Sequence, residues 1–276
     1  MTSLFQIIKQ FQQLVPAEMT IQGHESRVEV GPQTETEQSN TTINRVLIAT
    51  YPSARVVTKA SQDKSNLLVT YRPLFPFAID RLTGLDLVRV RLLAKNYIST
   101  YTLGSAWISA RDGITDAFVQ ALSLEKIGEL TTESDYGQPA SIGRICKSPG
   151  EMNHSGFANY IASKMGLSNI IFCGDFDDKV GDILVVAGSV VDIPDIMNAR
   201  RQDISTLITG ELSPEVRLLA SEEGMNILEL GAFMTEDPGM KRLRDIISLE
   251  FPELKIDYIA SMPLVHGLRP YKEDMA

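Results

Sequence analysis

Apolar residues recur at helical spacing from the start of the chain: Leu4, Phe5, Ile8, Phe11 and Val15 follow Ser3, which with Gln6 forms a capping-box pattern, and Pro16 closes the helix. Over residues 32–44 the periodicity vanishes. Only polar side chains follow Pro32 until Ile43, so the segment reads as an exposed loop or partly ordered insertion. Short apolar runs then alternate with amphipathic ones. The pattern predicts strands at 46–50, 67–70 and 98–101 and helices at 54–60 and 85–94, the rhythm of a mainly parallel sheet flanked by helices. A further helix at 113–124 places Ile114, Ala117, Phe118, Ala121 and Leu122 on one face.

Residues 131–143 are rich in Thr, Ser, Gly and Pro and mark the expected boundary between two lobes, 1–132 and 133–276, the C-terminal part being free to pack back on the first. The second half repeats the style. Helices are expected at 155–165 and 193–200, and strands at 170–173, 183–187, 207–208 and 227–230. Ser213 followed by Pro214 opens a helix that stops at Gly224, Asp237-Pro238 opens another through about 249, and 256–260 is a final strand. The fold class is therefore α/β, with two lobes of mainly parallel or mixed sheets flanked by helices.

Composition narrows the function. The 276 residues carry a formal charge of −9 and no run of five basic residues, which argues against nucleic-acid phosphates or an anionic membrane as partners. No stretch of 18 apolar residues occurs, and the first fifteen residues carry Gln and Lys at intervals unlike a secretory signal, so a cytoplasmic protein is expected. Cys146 and Cys173 have no CxxC partner and read as isolated thiols. Neither GxGxxG, GxxxxGK[ST] nor GxSxG is present. The histidines are His24, His154 and His266, none with a second His two to four residues on, and they read as surface or hydrogen-bonding residues rather than metal ligands.

Six blocks, in order, carry a resemblance. They are Leu67-Leu68-Val69-Thr70-Tyr71-Arg72-Pro73-Leu74; the run from Ile98 to Tyr101 leading into Gly104-Ser105-Ala106-Trp107-Ile108; Gly113-Ile114-Thr115-Asp116; Gly143-Arg144-Ile145; Lys179-Val180 with Val185-Val186-Ala187-Gly188-Ser189 and then Ile208-Thr209-Gly210-Glu211; and Gly231-Ala232-Phe233-Met234-Thr235-Glu236. From about residue 46 to 264 the chain resembles the Nif-three-like family, whose bacterial members are known as type 2 homologues of GTP cyclohydrolase I. The resemblance implies a cleft binding two divalent metals, and a toroidal homohexamer whose sites face an internal cavity. The family's metal ligands fall on Tyr71, Arg72, Ile108, Ala232 and Glu236, and its second-motif His falls on Gly104.

Glu236 alone keeps a ligand type. Isoleucine and alanine offer no donor atom, and arginine is a permanent cation, so the metals and the hydrolysis they support are expected to be absent and no cofactor is expected. The candidate ligand-binding residues at the former metal cleft are Tyr71, Arg72, Trp107, Glu211 and Glu236. Either Arg72 pairs with Glu236 across the cleft or it points to solvent. Likewise Tyr71, Tyr101, Trp107 and Phe233 either stack on a planar ligand or fill volume. Two functions stand: a non-catalytic oligomeric scaffold, regulator or small-ligand binder with a small-molecule or protein partner, and a hydrolase of a nucleotide or related small molecule with a rebuilt site.

Overall fold

A computed structural model describes residues 1–22 and 25–262. The N-terminal lobe begins with β1 (Thr2–Ser3) and α1 (Leu4–Leu14), continues through β2 (Arg27–Val30), α2 (Glu35–Asn40) and β3 (Thr42–Ile43), and then runs β4 (Arg45–Ala49), α3 (Ala54–Gln62), β5 (Leu67–Thr70), α4 (Gly84–Lys95) and β6 (Ser99–Thr102). After α5 (Ala106–Ser109) and α6 (Ile114–Leu122) the chain enters a second lobe. This comprises β7 (Glu125–Glu133), β8 (Pro139–Lys147), α7 (His154–Met165), β9 (Ile171–Cys173), β10 (Ile183–Val186), α8 (Ile193–Arg201), β11 (Thr206–Thr209), α9 (Pro214–Glu222) and β12 (Asn226–Glu229). The long α10 (Ala232–Glu250) and β13 (Lys255–Tyr258) follow.

Among the described residues two main sheets form, ordered β13-β4-β5-β6-β2 and β7-β8-β10-β11-β12-β9. β13, β4, β5 and β6 are mutually parallel, with β2 antiparallel at one edge. In the second sheet β10, β11 and β12 are parallel, while β8 and β9 flank them antiparallel. β13 pairs with β4, so the C-terminal segment does return to the first sheet.

Burial explains why the central strands read as unbroken apolar runs. Every residue of β5, β6, β10, β11 and β12 is buried, as expected of parallel strands covered on both faces. Alternation is hidden inside the run. Val46 and Ile48 of β4 face one core with α1, whereas Leu47 and Ala49 face another with Val56, Val57 and Ala60 of α3 and Leu93 of α4. The α1 capping box forms as the spacing predicts, and its Phe11 ring stacks on Tyr101 at 5.0 Å, so Tyr101 fills the core.

Three expectations need correction. Residues 32–44 are not loop throughout: Thr34 and Glu37 form a second capping box that starts α2, and Thr42–Ile43 pairs with β1. Residues 131–143 are no linker, since they span the β7–β8 hairpin, and the chain passes between sheets before Glu125. Gly137 serves the turn, whereas Pro139 and Gly143 lie within β8. Finally, Pro238 lies in the second turn of α10, which starts at Ala232 directly after Gly231, whose φ of +91° lets the strand turn straight into the helix. No described helix is long and apolar enough to cross a membrane.

Candidate functional site

Parallel strands from both sheets end at one cleft, the place where open α/β sheets bind ligands. β4 delivers Tyr51, β5 delivers Arg72, β10 delivers Gly188-Ser189, β11 delivers Gly210-Glu211, and β12 delivers Gly231 and the start of α10. Tyr51, Ser53, Arg72, Ser189, Glu211 and Ala232 line a cavity of about 520 Å³ together with Pro52, Pro73, Leu74, Pro76 and Arg89.

The second-lobe wall is a stack of backbone turns. Gly210 N–H and Glu211 N–H donate to the Gly188 carbonyl at 2.9 and 3.1 Å, and Gly231 N–H donates to the Gly210 carbonyl at 2.9 Å. A Cβ on Gly210 would lie 2.3 Å from the Gly188 oxygen, so only glycine fits. The Thr235 hydroxyl accepts from Gly188 N–H at 2.8 Å and donates to the Ala232 carbonyl at 2.9 Å, fixing the first turn of α10 against the β10 turn. The Glu211 carboxylate accepts from Ala232 N–H at 3.2 Å and caps that helix in place of a neighbouring side chain. The Thr209 hydroxyl donates to the same Gly188 carbonyl at 3.3 Å, so Thr209, Glu211 and Thr235 together shape the cleft.

One residue further on, Glu236 is fully buried and meets Arg72. Arg72 Nε donates to Glu236 Oε2 at 3.3 Å, Nη2 donates to Oε1, and Nη2 also reaches Ser189 Oγ at 3.4 Å. The guanidinium lies 5.1 Å from the Tyr71 ring centroid, and Arg72 N–H is tied to the Thr50 carbonyl at 3.0 Å. Of the two alternatives for Arg72, pairing is what the structure shows. Burial pushes the Glu236 carboxyl up to about 7; the Arg72 charge pulls against it and the Glu211 charge adds to it. The Tyr51 phenol is pushed up to about 12 by burial and the Glu236 charge, and Tyr71 is raised for the same two reasons.

The neighbouring carboxylate has a different role. Asp237 is buried and accepts from the Thr50 hydroxyl at 3.2 Å and from the Tyr258 hydroxyl, and it pairs with Lys241 Nζ at 2.8 Å. It bolts α10 to the first sheet, leaving Glu236 to meet Arg72 beneath the cleft.

Of the five residues singled out in the sequence, Arg72 and Glu211 line the cleft and Glu236 lies beneath it as the partner of Arg72. Tyr71 does not reach the cavity: it is 3% exposed, and its carbonyl accepts from Thr102 Oγ1 and Gly104 N–H. Trp107 is fully buried in α5 beside Ile108 and lies apart from the cleft, so as a stacking surface for a ligand it is corrected to a core side chain. Sequence reasoning missed Tyr51, Ser189 and Arg89. Tyr51 and Ser189 stand two and three residues beyond the carboxyl ends of the apolar strands β4 and β10, the signal that could have found them. Phe233 packs on Tyr51 with centroids 6.2 Å apart.

The remaining candidates are structural. His154 is buried, with Nδ1 2.8 Å from the Asp178 carbonyl and Nε2 2.9 Å from Thr206 Oγ1. Cys146 and Cys173 are free thiols. His24 and His266 lie outside the described residues. Among the described residues no three His, Cys, Asp or Glu side chains converge as a metal site would require.

Two α/β lobes that turn the carboxyl ends of their parallel strands toward one shared cleft define the class. The chain belongs to the Duf34/NIF3 (NGG1p interacting factor 3) family, whose model matches residues 3–263. Among curated relatives, a protein from Clostridium perfringens named GTP cyclohydrolase 1 type 2 homolog is 28% identical over 224 residues, covering 79% of this chain and 83% of that one. A relative of the same name from Methanocaldococcus jannaschii is 23% identical over 256 residues, 92% of this chain and 98% of that one. Among solved structures, a Bacillus cereus protein related to NIF3 superposes with a TM-score of 0.79 at 16% identity, covering 98% and 99% of the two chains, which shows the shared fold.

Proposed function

We propose that this chain is a metal-free member of its family whose cleft binds a small molecule without turning it over, in a cytoplasmic homo-oligomeric protein. The observation that carries the reading is the Arg72–Glu236 pair: the one remaining acidic side chain at the family's ligand positions is held by a guanidinium. The residues present do not fit a pair of divalent cations. Ile108 and Ala232 carry no donor, Arg72 would repel a cation, and burial disfavours ionising the Tyr71 phenol.

The cleft is nevertheless of a size that takes small ligands. Arg72 and Ser189 offer donors, the Glu211 carboxylate an acceptor, and Tyr51 with Pro52, Pro73 and Pro76 an apolar wall. Those features suit a compact, planar, polar-edged ligand. One observation favours a hydrolase instead, since a carboxyl near 7 is tuned to act as a base at neutral pH. Both Glu236 oxygens are engaged by Arg72, however, so a base there would first have to break the pair.

A thermal-shift screen against nucleotides and aromatic heterocycles separates the readings. A ligand-specific rise in Tm, with affinity reduced at least tenfold by Tyr51→Ala and no product formed, is expected. Silence across the library would contradict the binding cleft, and turnover abolished by Glu236→Gln would establish the hydrolase.

A further inference from the structure

A second cavity, of about 620 Å³, lies across Pro73 and Pro76 from the cleft, between the edge strand β2 and the loop that leaves β5. The strand is bulged where it borders this space. Val28 opposes Tyr101 and Val30 opposes Thr100, so Glu29 is an extra residue with no partner across the sheet. A bulge re-aims the side chain it carries. The Glu29 carboxylate turns to the β5–α4 loop, where its Oε2 accepts from Leu74 N–H at 2.7 Å, and it forms part of the cavity lining.

That carboxylate is short of positive charge. Its side chain is 5% exposed, and its Oε1 meets Arg27 Nη2 at 3.6 Å, too long for a hydrogen bond, from a guanidinium that is itself 52% exposed. Burial raises the Glu29 carboxyl above its ordinary value, and the Leu74 N–H, Arg27 and Arg89 together do not offset it. The charged residues of the lining are Glu25, Arg27 and Glu29, so the cavity is negative on balance. Its opposite wall is apolar, with Phe75, Phe77 and Ile79. The Arg89 guanidinium already lies 5.8 Å from the Phe75 ring centroid, so this wall accepts a cation as a ring partner.

We propose that this cavity binds a small organic cation, with a primary ammonium on Glu29 and an apolar or aromatic body against Phe75, Phe77 and Ile79. An ammonium supplies what Glu29 lacks, a positive charge and donors for Oε1. The volume suits a small molecule. A divalent metal ion is a poorer fit, because the rings and Ile79 give it no ligand atoms and two carboxylates fall short of the oxygen shell it requires. The site is distinct from the Arg72–Glu236 cleft, whose Tyr51, Ser189 and Glu211 do not line it.

Isothermal titration calorimetry of the full chain at pH 7, with phenethylamine, cyclohexylamine and hexylamine set against the matching alcohols, tests this. The amines are expected to bind with a Kd in the millimolar range or below, and the alcohols not to bind. Glu29→Gln, whose amide oxygen still accepts from Leu74 N–H, should weaken amine binding about tenfold or more. Phe77→Ala, at a position 81% exposed and so neutral for folding, should weaken it about threefold. Tyr51→Ala in the neighbouring cleft should leave it unchanged. No heat from any amine, equal binding of amines and alcohols, or an amine affinity indifferent to Glu29→Gln would overturn the site. Amine binding lost with Tyr51→Ala would move the ligand to the cleft and overturn it equally.

Discussion

Arg144→Ala is expected to cost about 3–5 kcal/mol of folding free energy, the range for removing one partner of a buried ion pair. Arg144 is only 1% exposed. Its Nε and Nη2 donate to the two oxygens of Asp116 at 2.6 and 3.0 Å, Nη2 also reaches the Ala110 carbonyl at 3.2 Å, and Nη1 donates to Ser141 Oγ. The fork joins α6 to β8 and so ties the first lobe's last helix to the second sheet. Burial alone would raise the Asp116 carboxyl, but the hydrogen bonds and charge of Arg144 outweigh it and hold the group below its ordinary value. Its contribution is therefore present at neutral pH and lost as pH falls through the lowered pKa. Urea denaturation at pH 7 gives the loss directly. Arg144→Lys should recover only part of it, because an ammonium cannot make the bidentate contact, and a loss under about 1 kcal/mol would mean that the pair is not the lobe-joining element described.

Glu236→Gln is expected to change stability in a pH-dependent way of opposite sign. The Glu236 carboxyl has an ordinary value of 4.5 and is pushed up to about 7 in the folded protein, so the folded state holds this proton more tightly than the unfolded one. The proton's stabilising contribution is complete below about pH 4.5 and is lost as pH rises through 7. At 1.36 kcal/mol per pKa unit, the full swing is about 3 kcal/mol. The groups facing it are Arg72 from the end of β5, Tyr51 from the end of β4 and Glu211 from the end of β11. The stability of Glu236→Gln relative to wild type should therefore increase by about 2.5 kcal/mol between pH 5 and pH 8. Taking the difference between the two proteins cancels the titrating groups that do not interact with Glu236, Asp116 included. A flat difference across that range would mean that the Arg72 pair fully offsets the burial of Glu236, and would contradict the net upward shift.

The parallel strands were legible because burial on both faces writes them as continuous apolar runs, as in Leu67-Leu68-Val69 and Ile183-Leu184-Val185-Val186. β7 was not, for the opposite reason: Glu125-Lys126-Ile127-Gly128-Glu129-Leu130 is an edge strand with most side chains in solvent, and it carries no run to read. Residues 32–44 hid a short helix whose only signal was Thr34-x-x-Glu37, outweighed by polar composition. The Asp116 and Arg144 motifs stood out as separate blocks, but their meeting is a tertiary fact. So is the cleft. Arg72 and Glu236 are 164 positions apart, and charge alone could not choose between a pair and a solvent-facing arginine. Trp107 failed as a site residue because its neighbourhood in sequence belongs to the motif while its ring, by the inward path of α5, belongs to the core.

The proposed function requires that Arg72 take the cationic place at this cleft beside Glu236. Metal stoichiometry tests it most directly: the purified full chain is equilibrated with zinc or manganese, freed of loosely held ions by gel filtration, and its bound metal counted by mass spectrometry beside Arg72→His. No retained equivalent is expected in the wild type, because Glu236 is already paired with Arg72. Two tightly held equivalents per chain in the wild type would contradict it.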